Sequence, residues 1–122
     1  MKNHVFKIGS VIFLFFAAGC SRQPTAADVE GDYTREGSLL SERVILKKDG
    51  TFIQTVTATN GQSWSLTNTW KLEPRGVTFF KFYCTYDEEK KQDVLPPSAG
   101  FFFTWSWSEN HLIRDDAYML SK

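Results

Sequence analysis

The stretch Arg43-Val44-Ile45-Leu46-Lys47-Lys48-Asp49-Gly50-Thr51-Phe52-Ile53-Gln54-Thr55-Val56-Thr57 decides the fold. Two β-rich runs flank Asp49-Gly50, a pair that suits a hairpin because both residues tolerate the positive φ of a tight turn. Farther on, Asn60-Gly61 sets a second turn of the same kind. Two such turns predict an antiparallel meander with strands over 42–48, 51–59 and 63–72. In the second arm Phe52, Val56 and Ala58 share one face, with Gln54 among them. Thr51, Ile53, Thr55 and Thr57 share the other, and three threonines place that face near water.

The rest of the chain adds strands to this meander. Gly31-Asp32-Tyr33 opens the first. Leu66, Trp70 and Leu72 lie on one face of the 63–72 run, against Thr67, Thr69 and Lys71, and Glu73-Pro74-Arg75-Gly76 ends it in a turn. Residues 77–86 are apolar on both faces, which predicts a central strand or one that also packs under a loop. Residues 87–100 form a charged loop, the length at which loops are functional or mobile. Within it Asp87 is placed to cap a short helix over 88–93 that Pro96-Pro97 stops. Alternation returns over 101–108, with Phe101, Phe103, Trp105 and Trp107 on one side, and short runs at 111–114 and 117–120 close the chain. The pattern is all-β: an antiparallel meander of seven or eight strands forming a small barrel or sandwich, one domain over 31–122.

Ahead of the domain, Lys2 and Lys7 precede an apolar run too short to span a bilayer, which needs about 20 residues. The run ends in Phe16-Ala17-Ala18-Gly19-Cys20. Small residues before a cysteine at that place resemble the lipobox of bacterial lipoproteins. The resemblance implies a signal peptide over 1–19, lipidation of Cys20, and a membrane anchor followed by a tether over 20–30. Ser21 after the cysteine is compatible with the outer membrane, so the implied location is the bacterial envelope, on the inner leaflet facing the periplasm. A plain secretory peptide cleaved near Ala18 is the other reading.

Three pieces of the domain resemble small lipocalin-like (calycin-type) lipoproteins: Gly31-Asp32-Tyr33, the Leu46–Phe52 turn with Thr69-Trp70-Lys71-Leu72, and the tail Ile113–Leu120. The resemblance implies a barrel in which Arg114 packs across Tyr33.

Function is less legible. Without residues 1–19 the chain carries 12 basic and 14 acidic side chains, and that balance leaves no basic stripe for nucleic acid. Cys84 is then the one remaining thiol, set among aromatic residues as a small hydrophobe. Ser108, Glu109 and His111 have the types of a catalytic triad, but three neighbours on a turn do not converge as triads do. His111, Asp115 and Asp116 follow no metal-ligand spacing. No catalytic residue, metal or cofactor is therefore expected. Trp64, Trp70, Phe101, Phe103, Trp105 and Trp107 are candidate stacking residues for a small apolar or amphiphilic ligand, and equally candidates to fill the core. Glu88, Glu89, Lys90 and Lys91 are the candidate contact for an envelope protein partner, or a solvated loop. The leading expectation is a non-catalytic, membrane-anchored protein acting through protein contacts. A small-ligand binding module is the alternative.

Overall fold

Inward apolar side chains at every second residue bend the meander into a closed barrel. The structure is a computed structural model and describes residues 23–101, 104–115 and 117–122. The expected signal peptide over 1–19, Cys20, Phe103 and Asp116 lie outside the described residues. Strands β1 (Gly31–Glu36), β2 (Leu40–Leu46), β3 (Thr51–Ala58), β4 (Ser63–Glu73) and β5 (Gly76–Phe79) follow one another as antiparallel neighbours. A small ribbon of β6 (Tyr86–Asp87) and β7 (Gln92–Asp93) stands apart. Then β8 (Thr104–Ser108), β9 (His111–Asp115) and β10 (Tyr118–Ser121) complete the wall, and β10 closes on β1 through Thr34 and Ser121. The fold is an eight-strand antiparallel closed barrel rather than a sandwich.

The two turns that decide the fold share one geometry. Lys47 N–H donates to Thr51 O (2.8 Å), Gly50 N–H to Lys47 O (3.1 Å), and Gly50 takes φ +89°. Ala58, Gln62 and Gly61 (φ +95°) repeat this pattern. Each is a three-residue loop whose glycine supplies the left-handed position. The register that follows turns Phe52, Gln54, Val56 and Ala58 inward, all buried, while Thr51, Ile53, Thr55 and Thr57 face out.

Four expectations are corrected. The strand over 77–86 ends at Phe79, because Lys81 takes φ +61° and swings the chain across the barrel mouth, leaving Phe80 outside and Phe82 buried. The helix over 88–93 is instead a turn between β6 and β7. Asp87 Oδ1 does accept the N–H groups of Glu89 and Lys90, as a cap does, but Lys91 at φ +53° sends the chain back rather than onward. Residues 26–29, expected to be part of a tether, form a one-turn helix, α1 (Ala26–Val29), on a Thr25 capping box, and Val29 is buried under the barrel. Finally, the cation over Tyr33 is Lys122, 5.6 Å from the ring centre, while Arg114 donates to Thr104 O.

The strand directions give the barrel two different ends. At the base lie α1, the 47–50, 74–75 and 109–110 turns, and Lys122. Here Tyr33 OH donates to Val29 O (2.5 Å) and accepts from Trp107 Nε1 (2.9 Å), and Lys122 Nζ donates to Asp28 O (2.7 Å). At the mouth lie the β1–β2 turn, the 59–62 turn and the long connection from Phe80 to Phe101, which we term the strap.

Candidate functional site

The strap lies across the mouth because the barrel wall presents it with charged groups pointing inward. Arg35 falls in phase with buried Tyr33 on β1, and Glu42 in phase with Leu40, Val44 and Leu46 on β2. Arg35 and Glu42 are cross-strand partners, so their side chains share the inner face. Glu42 and Gln54 are almost wholly buried. An inner face carrying such groups needs partners, and the strap provides them.

Arg35 Nη1 donates to Asp93 Oδ1 (3.0 Å), Nη2 to Thr85 Oγ1 (2.9 Å), and Nε to Glu42 Oε1 (3.4 Å). Thr85 Oγ1 donates to Glu42 Oε1 at 2.6 Å, and Gln54 Nε2 donates to Glu42 Oε2 at 2.7 Å. Gln54 also receives Tyr83 N–H and donates to Tyr83 O, as a backbone strand would. Tyr118 OH accepts Thr85 N–H (2.8 Å), and its ring lies 4.8 Å beneath the Arg35 guanidinium. Asp93 Oδ2 takes Leu39 N–H from the β1–β2 turn (2.9 Å). Burial pushes the Glu42 carboxyl above its ordinary pKa, against the Thr85 hydroxyl and Arg35, which pull it down. Burial also holds the Tyr118 phenol well above its usual range. Burial draws the Arg35 pKa down, and Glu42 with Asp93 more than offsets it.

Beneath the strap the barrel is filled. Phe82 drops between Phe79, Phe52 and Trp105, with ring centres 4.5, 5.8 and 5.2 Å away. Trp105 in turn meets Tyr118 edge-on at 4.7 Å. These contacts are those of a packed interior.

The sequence-named aromatics are therefore dispersed. Trp70 is buried, with Nε1 donating to Lys47 O, and Trp105 sits in the core. Trp107 is at the base against Tyr33, and Trp64 is half-buried on β4. Phe101 is 47% exposed and stacks on Tyr83 outside the barrel. No single surface unites the five that are described. Glu88, Glu89, Lys90 and Lys91 form the tip of the β6–β7 turn at the mouth. Cys84 is half-buried and donates to Tyr86 O, and burial raises its thiol pKa. It lines a shallow hollow of about 260 Å³ with Tyr86, Val94 and Phe101 on the outer side of the strap. His111 Nδ1 meets Glu109 O, and Asp115 Oδ1 accepts Ala117 N–H. Among the described residues no group of three metal-ligating side chains converges.

Sequence reasoning missed Arg35, Glu42, Thr85 and Asp93. Its available signal was a charge in phase with the apolar face of a strand, at Arg35 and Glu42; nothing local marked Thr85 or Asp93. Comparisons with family models, curated proteins and solved structures return no match.

Proposed function

We propose that the chain is a non-catalytic lipoprotein of the bacterial envelope, a lipocalin-like barrel anchored at Cys20 that acts by contacting another protein with its mouth end. The observation that carries this reading is the strap. It fills the interior where a ligand-carrying barrel would be empty, and it presents the Glu88–Lys91 tip and the exposed Phe101 at the mouth, beside the exposed Leu39 of the β1–β2 turn. The polarity of the barrel supports it too. An anchor at Cys20 lies six residues before Ala26, no more than about 20 Å of chain, so the base faces the membrane and the mouth faces away. The lipobox-like Phe16–Cys20 supports the anchor, and Gly31-Asp32-Tyr33, the Leu46–Phe52 turn with Thr69–Leu72 and the tail Ile113–Leu120 support the family resemblance.

A photo-crosslinking side chain at Lys90, in cells producing the full chain, tests the reading. The expected result is a discrete adduct with one envelope protein, lost when Cys20→Ala frees the chain from the membrane. No adduct, together with a native mass spectrum carrying a releasable ligand of a few hundred daltons, would overturn it in favour of a binding module.

A further inference from the structure

The wall of the barrel is complete at the base but not along the whole of β4. Strand β3 pairs with residues 63–69 of β4, whereas β5 on the other side pairs only with 70–73. Phe80 N–H adds one bond to Thr69 O (2.9 Å), and Lys81 then turns the chain inward. From Ser63 to Thr67, β4 thus has a strand partner on one side only among the described residues.

The phase of the ladder says which groups face the open side. Gln62 O accepts from Ala58 on β3, and Trp70 N–H donates to Gly50 O beyond the start of β3. Even-numbered residues therefore bond toward β3, and Ser63, Ser65 and Thr67 direct both N–H and C=O outward. The edge is bounded: Asn68 Oδ1 accepts Thr69 N–H (3.1 Å), and Phe80 occupies Thr69 O. Natural sheets protect such edges with lysine, proline or a bulge. Ser63–Asn68 has none of these, and its register with β3 is unbroken. Between the outward residues, Trp64 and Leu66 are only half-buried, and Phe80, 57% exposed, stands at the end of the edge.

We infer that Ser63–Thr67 is a docking edge for an extended, uncharged segment of a partner protein, which adds to the barrel as a strand. Donors and acceptors that alternate at strand spacing are matched by another backbone. Antiparallel pairing opposite Ser63, Ser65 and Thr67 exchanges two hydrogen bonds at each position. The residues between these positions turn inward beside Trp64 and Leu66, so the segment carries apolar side chains there and small polar ones outside. A second copy is the competing occupant, since the edge is self-complementary about Ser65. That two-fold pairing points the two bases in opposite directions, whereas copies anchored in one leaflet stand the same way up. The choice of a different protein rests on the anchored reading above and deepens it by naming the surface and the segment.

Selection of phage-displayed random octapeptides against the full mature protein in detergent micelles tests the edge. Ser65→Pro serves as the control, because its missing N–H is one that faces solvent and the fold tolerates proline there. The expected peptides are uncharged with apolar residues at alternate positions, bind roughly ten-fold more weakly to Ser65→Pro, and protect the amides of Ser63, Ser65 and Thr67 from exchange. Peptides that bind Ser65→Pro equally well, or an enriched set lacking that pattern, overturn the inference. So does a self-disulfide formed by Ser65→Cys, which assigns the edge to a second copy. Membrane fractionation of Cys20→Ala separates the two readings. If that variant stays on the membrane, the anchor reading fails while the peptide result still decides the edge.

Discussion

Arg35 and Asp93 stand 58 residues apart in the chain, yet the guanidinium Nη1 lies 3.0 Å from the carboxylate Oδ1. This contact joins the first strand to the strap, and Glu42 completes it from the neighbouring strand. Replacing Arg35 by Ala strands Glu42 and Asp93 in a buried setting without their cation. A loss of about 3–5 kcal/mol is expected by urea denaturation. Arg35→Met combined with Glu42→Gln and Asp93→Asn should recover much of it, because no charge is then left unpaired. A loss under about 1 kcal/mol for Arg35→Ala alone would show that the pair does not hold the strap.

Gly37 makes the strap's position sensitive to a single methyl group. A Cβ there would stand 2.2 Å from Asp93 Oδ2, and that carboxylate is pinned by Arg35 and Leu39 N–H. Gly37→Ala should therefore loosen the strap before it unfolds the barrel. Hydrogen exchange should speed up at Tyr83, Thr85 and Val94 while the β2–β3 amides stay protected. Uniform acceleration would mean that strap and barrel open as one unit.

Trp105 carries the core beneath the strap. Its truncation to Ala is expected to cost about 3–5 kcal/mol, read as a fall in Tm or in the urea midpoint. Trp107→Phe keeps most of the packing but loses the bond to Tyr33 OH, so about 0.5–1.5 kcal/mol is expected.

Burial pushes the Tyr33 phenol up to about 12 from 10.0, with Trp107 Nε1 opposing. Between those values the unfolded chain gives up this proton and the folded chain keeps it. The folded state then binds more protons, so the contribution is full below pH 10 and is lost as pH rises toward 12. Denaturation midpoints across that interval should fall less steeply for Tyr33→Phe than for the parent. Equal slopes would show that Tyr33 is not the group responsible.

Exchanging Glu88–Lys91 for Asn-Gly should leave stability within about 0.5 kcal/mol, since Asp87 and Gln92 already pair and need only a tight turn. A collapse of the fold would make the tip structural and remove it as a partner contact.

The barrel was legible wherever structure follows from neighbours along the chain. Asp49-Gly50 and Asn60-Gly61 fix turns, and turns fix register, so the inward set Phe52, Gln54, Val56 and Ala58 follows from the sequence alone. The strap was not legible, because its causes are distant. Residues 77–86 alternate well enough for a long strand, but Phe82 gains more from the space between Phe52 and Trp105 than from continuing beside β4. Asp87 offers a helix cap, yet Asp93 six residues later is claimed by Arg35. Tertiary partners overrode local preference at both places. Of the alternating aromatics, Trp105 and Trp107 do share the inward face of β8, one in the core and the other at the base, whereas Phe101 lies before the strand begins and stays outside.

Barrel closure also sets the order of events in a growing chain. The strand that seals the wall against β1 is the last one, and its Tyr118 supplies the hydroxyl that holds Thr85. At the other end Lys122 reaches back to Asp28, 94 positions earlier. A nascent chain short of Tyr118 has neither its seam nor one of the anchors of its strap. Closing the wall therefore depends on contacts that span nearly all of the described residues, and contacts of such long range make folding slow.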